Sequence, residues 1–157
     1  MKILFLDIDG VLVTLNDWET RGRAEVLSDN SYDFDPLCVE RFNNLLKRVP
    51  DMKIVISSTW RILNTVLELE DMLALRGIHV ELMGVTRAPG WDKENNRSEP
   101  RGYQCQDFID ALDVKPRVVF LDDDRDFLPE QKSRCVFTTW QDGLESKHVD
   151  KIVELFS

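Results

Sequence analysis

The sequence predicts an α/β fold: a doubly wound parallel sheet of about five strands with helices on its faces. Three observations carry that expectation. Short apolar runs without polar alternation recur along the chain, as strands buried on both faces of a parallel sheet require. Between them lie stretches with apolar residues at helical spacing. Finally, the runs ending at Leu6, Ile56 and Leu121 all break into polar groups, and open parallel sheets hold their ligands just beyond the carboxyl ends of the strands.

The elements follow in order. Ile3 to Leu6 is the first strand, closed by Asp7, Asp9 and Gly10, whose backbone freedom lets the chain turn away. Val13 to Tyr32 is polar and irregular, room for a short helix or a flap over the strand ends. Asp35-Pro36 makes an N-cap and first helical position, followed by Leu37, Val39, Phe42, Leu45 and Leu46 at helical spacing. Lys53 to Ile56 is the second strand, and a helix through Val66, Leu69, Met72 and Leu73 ends near Gly77, a C′ residue. Ile78 to Met83 reads as the third strand and Gly84 to Pro100 as a loop. A helix through Phe108, Ile109 and Leu112 leads into the fourth strand, Arg117 to Leu121, which ends in Asp122, Asp123 and Asp124. Arg134 to Thr138 is a short fifth strand, and Val149, Ile152, Val153, Leu155 and Phe156 mark a closing amphipathic helix.

At 157 residues, without repeats or low-complexity linkers, the chain is expected to form a single domain over 1–157. No apolar run reaches membrane-spanning length, and Asp7 interrupts the N-terminus too early for a signal peptide, so a cytoplasmic protein without membrane partners is expected. Cys38, Cys105 and Cys135 are odd in number and widely spaced, which argues for reduced thiols over a disulfide or zinc framework. A net charge of −9 disfavours a non-specific nucleic-acid coat protein, which carries a basic excess.

Two carboxylates at the end of a buried strand repel each other and resist desolvation, so a cation is expected beside them. Hard oxygen ligands at this density suggest Mg²⁺. A pair of exposed turn aspartates is the other reading of Asp7 to Gly10 alone. It weakens once Ser57 and Ser58, and then Asp122 and Asp123, end neighbouring strands at the same edge. Carboxylates, hydroxyls and a second acidic cluster around a cation suit phosphoryl transfer.

These residues carry a resemblance. Asp7-Ile-Asp9-Gly10-Val11, Ser57 after its strand, and Leu121-Asp122-Asp123 resemble motifs one, two and four of the haloacid dehalogenase (HAD) superfamily. More narrowly, Ile56-Ser57-Ser58-Thr59-Trp60-Arg61, Leu121 to Asp124 and Gly143-Leu144 are similar to the HAD domain of Swiss Army Knife RNA repair proteins, and to the phosphatase half of polynucleotide kinase-phosphatases. The resemblance implies an Mg²⁺-dependent phosphatase working through an aspartyl-phosphate. Asp7 would be its nucleophile and Asp9 its general acid and base. The Asp7 carboxylate, the Asp9 carbonyl and one of Asp122 or Asp123 would hold the metal, with Asp123 favoured and Asp122 its neighbour. Ser57 would hydrogen-bond a phosphoryl oxygen, with the Ser58 amide as a further donor. The third motif's cation is best matched by Arg101, then Arg97, then Lys115, although Arg101-Gly-Tyr-Gln departs from the pattern of relatives.

Other residues keep two readings. Arg61 either clamps a substrate phosphate or pairs with an acidic residue. Trp60 either stacks on a base or packs under the sheet edge, and Trp18 and Trp91 stand likewise. Asp124 and Asp126 either extend the metal shell or enrich a helix N-terminus. His79 and His148 read as structural or exposed. Neither 13–32 nor 84–100 is long enough for a full cap domain, and an open site suits a bulky substrate. A phosphorylated RNA or DNA end or a nucleotide is therefore the expected substrate, and RNA-repair proteins are partners that the resemblance implies. The rival readings are a small-molecule phosphatase or nucleotidase, and a non-catalytic domain that binds phosphate or protein.

Overall fold

Ile3, Leu4, Phe5 and Leu6 are all fully buried, so the first strand needs cover on both faces and a neighbour at each edge. The computed structural model describes residues 1–21 and 32–157. In chain order its elements are β1 (Lys2–Leu6), α1 (Leu15–Arg21), α2 (Pro36–Arg48), β2 (Met52–Ile56), α3 (Val66–Leu75) and β3 (Leu82–Val85). After these come β4 (Trp91–Asp92), β5 (Arg97–Ser98), α4 (Arg101–Asp110), β6 (Arg117–Asp122), β7 (Cys135–Phe137) and α5 (Ser146–Phe156), with 3₁₀ turns at Thr59–Ile62 and Pro129–Arg134.

Five parallel strands make one sheet in the order β3-β2-β1-β6-β7, with β1 at its centre. The chain winds outward in one direction through β2 and β3, then returns to the other side of β1 for β6 and β7. The crevice where winding reverses lies between β1 and β6. Register then aligns the functional ends. Leu6 pairs with Ile56 and with Leu121, so Ser57, Asp7 and Asp122 stand in one row. Backbone bonds carry the row across: Ser57 N donates to Leu6 O and Asp7 N to Leu121 O, each at 3.0 Å.

The two faces are covered unequally. Leu4, Leu6, Ile54, Ile56, Val119 and Leu121 pack beneath α2, α3 and α5, through Phe42, Leu45, Leu69, Leu73, Ile152 and Phe156. Ile3, Phe5, Val55 and Phe120 pack against α4 and the loop after β6, through Cys105, Phe108 and Phe127. Phe5 stacks on Phe120 at 5.2 Å and meets Phe108 edge-on at 5.8 Å.

The expected helix ends are present. Asp35 accepts from Leu37 N with Pro36 at the first helical position, and Gly77, at φ +84°, closes α3 while Ile78 N bonds back to Leu73 O. That closure corrects the third strand. Ile78 is committed to the end of α3, so pairing begins only at Leu82 and reaches Val85. The stretch 84–100 is not all loop: β4 and β5 form a short hairpin around a turn in which Asn95 bonds to Asp92 and Asn96 sits at φ +49°. Two-residue strands leave too little alternation to be read from sequence. In the stretch 13–32, α1 occupies the first part. Residues 22–31, including Arg23 and Glu25, lie outside the described residues. Among the described residues, no helix is long and apolar enough to cross a membrane.

Candidate active site

Beyond the row of strand ends opens a cleft of about 430 Å³ lined by Asp7, Asp9, Thr59, Arg101, Asp123, Asp124 and Trp140. The turn after β1 shapes its floor. Leu12 N and Val13 N both return to Ile8 O, and Gly10, at φ +75°, reverses the chain. A Cβ on Gly10 would stand 2.3 Å from Asp123 Oδ2, so the absence of a side chain there is what lets the Asp123 carboxylate lie over the turn. From just past β7, Thr138 Oγ1 donates to Gly10 O at 2.7 Å and ties the turn down.

Arg101, the first residue of α4, is the cation of the cluster. Its Nη1 lies 2.6 Å from Asp122 Oδ2 and 3.1 Å from Asp7 Oδ1. Asp126 holds it there from the loop after β6: Asp126 Oδ2 accepts from Arg101 N and Asp126 O from Gly102 N. Pro100, at the N-cap position, makes no side-chain cap bond, so the cap of α4 is supplied by a distant segment. This revises the reading of Asp126 as an acid on its own helix: no α-helix follows β6 directly, and Asp126 caps α4 instead. Asp122 spends its other oxygen on Asp124 N at 2.9 Å, whereas Asp123 lines the cleft.

Carboxylate oxygens of Asp7, Asp122 and Asp123 all fall within 4.8 Å of one another. One guanidinium does not balance them. Burial, followed by the charge of Asp7, raises Asp122 and Asp123 above the ordinary carboxylate range, Asp123 to about 6. Asp9 is raised for the same two reasons, offset in part by a hydrogen bond from Trp60. Burial alone would lower Arg101, but Asp7 and Asp122 outweigh it and its value is raised. Hard oxygen donors clustered with unbalanced negative charge fit a divalent cation of the Mg²⁺ type.

A pH dependence follows. An acid whose folded value exceeds its unfolded one binds more protons when folded, so stability is greatest at low pH and falls as pH rises through the shifted value. A bound cation removes that loss. The rise in melting temperature on adding Mg²⁺ is therefore expected to be small near pH 4 and to grow until Asp123 and Asp122 ionise, at about 6 and about 8. Differential scanning fluorimetry with Mg²⁺ or EDTA across that range checks it, and a flat difference would remove these carboxylates as the binding set.

The remaining expected residues divide. Ser57 is buried in the row beside Asp7. Ser58 is buried too, and its side chain caps the 3₁₀ turn by accepting from Trp60 N. Arg61 is engaged within the protein and pairs with no carboxylate among the described residues. Nε donates to Thr86 O, Nη1 to Ser57 O and Ser58 O, and Nη2 to Arg87 O and Gln104 Oε1, which uses all five N–H groups. Arg97 stands on the exposed hairpin near Asp92, at 3.8 Å, and does not line the cleft. Lys115 is exposed and precedes β6, at the opposite edge of the sheet. His148 caps α5 by accepting from Glu145 N, and His79 is exposed.

Sequence reasoning missed one bond of Trp60 and two lining residues. Trp60 Nε1 donates to Asp9 Oδ2 at 3.1 Å, so it holds that carboxylate in place as well as packing on Phe34. Thr59 and Trp140 line the cleft. Thr59 and Trp60 sit inside the quoted Ser57-to-Arg61 stretch, a usable signal. Trp140, three residues past the short β7, carried none.

A family model described as the HAD domain in Swiss Army Knife RNA repair proteins matches residues 3–149. No curated protein and no solved structure matches the chain.

Proposed function

The chain belongs to the family of HAD domains in Swiss Army Knife RNA repair proteins, and on that premise we propose that it is an Mg²⁺-dependent phosphomonoesterase acting on phosphorylated nucleic-acid ends or nucleotides. The observation that carries the reading is one cleft holding Asp7 beside the Arg101 cation and, two residues on, Asp9 gripped by Trp60.

Each residue has a role in the chemistry. Asp7 attacks phosphorus, forming the aspartyl-phosphate as the bond to the leaving oxygen breaks. Asp9, where burial and the charge of Asp7 favour the protonated form, donates a proton to that oxygen. Asp9 then takes a proton from water, which attacks the aspartyl-phosphate, releases inorganic phosphate and restores Asp7. Ser57 Oγ and the Arg101 guanidinium supply donors to the phosphoryl oxygens. The Asp7 and Asp123 carboxylates and the Asp9 carbonyl would hold Mg²⁺, with Asp122 fixing Arg101 behind them. Mg²⁺, when bound, offsets charge on the transferring group and the cluster.

Phosphate release with Mg²⁺ tests the proposal, across nucleoside monophosphates, oligonucleotides phosphorylated at either end, and p-nitrophenyl phosphate. Preference for an oligonucleotide end supports repair chemistry. Preference for a mononucleotide keeps the mechanism and moves the function to nucleotide metabolism. No release from any substrate overturns the enzymatic reading. Asp9→Asn is expected to lower turnover about 10²- to 10⁴-fold while Mg²⁺ affinity by calorimetry is retained, because its backbone carbonyl is the ligand. Normal turnover in that variant would remove Asp9 from the acid and base role.

A further inference from the structure

The lining of the cleft is mixed in kind. Most of it is charged, with Arg101, Asp123 and Asp124 among its residues, and Trp140 is its aromatic lining residue. Trp140 meets Trp18 edge to face, at 5.5 Å and 86°, and Trp18 in turn meets Tyr32 at 4.9 Å. Its backbone is fixed as well. Leu15 N donates to Trp140 O at 2.9 Å, Asn16 N to Gln141 O at 3.1 Å, and Gly143 N closes the turn on Thr139 O at 2.8 Å. Side chains repeat the tie, with Asn16 bonded to Asp142 and Gln141 to Asn16. The ring is nonetheless only half-buried. Trp140 packs on the core and also lines the cleft.

We propose that Trp140 is the platform on which the nucleobase of the leaving nucleoside stacks. The inference rests on the phosphatase reading above and deepens it. In an in-line displacement the leaving oxygen lies opposite the nucleophile and beside the acid that protonates it. The leaving group therefore emerges on the Asp9 side of the phosphorus, and Trp140 lines the same cleft as Asp9. A flat aromatic group fits that position, and a cleft of about 430 Å³ lies in the size range of small-ligand sites. Charge argues the same way. With a net charge of −9 the chain offers little attraction to a phosphodiester backbone, so affinity beyond the one phosphate that Arg101 and the cation hold has to draw on contacts that carry no charge. Stacking on an aromatic face is such a contact and accepts any base.

The test compares Trp140→Leu, which keeps apolar bulk against Trp18, with Trp140→Phe, which keeps a ring. The ratio of kcat/KM for a phosphorylated dinucleotide over that for glycerol phosphate is expected to fall about tenfold in Trp140→Leu and to recover largely in Trp140→Phe. Calorimetry separates this from the phosphatase reading. In an Asp7→Asn background, Trp140→Leu is expected to weaken dinucleotide binding about tenfold, with inorganic phosphate binding as the reference, whether or not the wild-type protein turns anything over. An unchanged dinucleotide affinity overturns the proposal. So does an equal loss on glycerol phosphate, which would make Trp140 a structural wall.

Discussion

Asp7→Asn is expected to reduce phosphate release at least about 10³-fold on every substrate the wild-type protein turns over, and still to melt higher than wild type without Mg²⁺. The first effect is loss of the nucleophile. The second follows from the cluster: Asp7 is among the causes that raise Asp9, Asp122 and Asp123, so removing its charge relieves three neighbours at once. Arg101 keeps its shorter contact, to Asp122. Phosphate release and scanning fluorimetry on one preparation measure both. A variant that was inactive and also less stable would mean that Asp7 holds the fold through Arg101, and the charge argument would fail.

Arg101→Met has the largest expected effect on stability. It leaves Asp7 and Asp122 at the end of the central strands without their cation, the situation in which breaking a buried pair costs about 3–5 kcal/mol. For a chain of this size that is a fall of about 10 °C in melting temperature. Mg²⁺ should restore part of it, because a cation of either kind offsets the same carboxylates. Arg87→Met is the control. Arg87 pairs with Glu99 and Asp107 at 2.6 Å each but its side chain is 41% exposed, against 18% for Arg101. A surface cluster of that kind contributes at most about 1 kcal/mol. Equal losses in the two variants would mean that the cluster at β1 and β6 is not charge-limited.

Both predictions concern residues that could be read from the sequence, and the reason is physical. Strands buried on both faces are apolar throughout, so the point where each run breaks marks the sheet edge, and Asp7, Ser57 and Asp122 were legible as strand ends before any geometry. Arg101 was legible as the best match to the third motif's cation. Long-range partnership was not. Nothing in the order of residues says that Arg61 spends every N–H on Ser57, Ser58, Thr86, Arg87 and Gln104, because four of those acceptors are backbone carbonyls and carbonyls have no identity in a sequence. The same holds for Trp60 and Asp9, whose bond spans 51 positions. Ile78 was assigned to a strand because its apolar character served equally well to close α3.

The cap that Asp126 places on α4 has a consequence for how the molecule opens. A helix capped by its own neighbour frays from its end; α4 is capped by the segment that follows β6, and Gln131 further bonds to Gly102 O at 2.9 Å. The first turn of α4 and the 122–131 segment thus share their hydrogen bonds and are released together or not at all. Amide exchange at Arg101, Gly102 and Asp124 should report one common opening. While that unit stays closed, the spacing between the guanidinium and the carboxylates is a property of the fold and independent of any bound substrate.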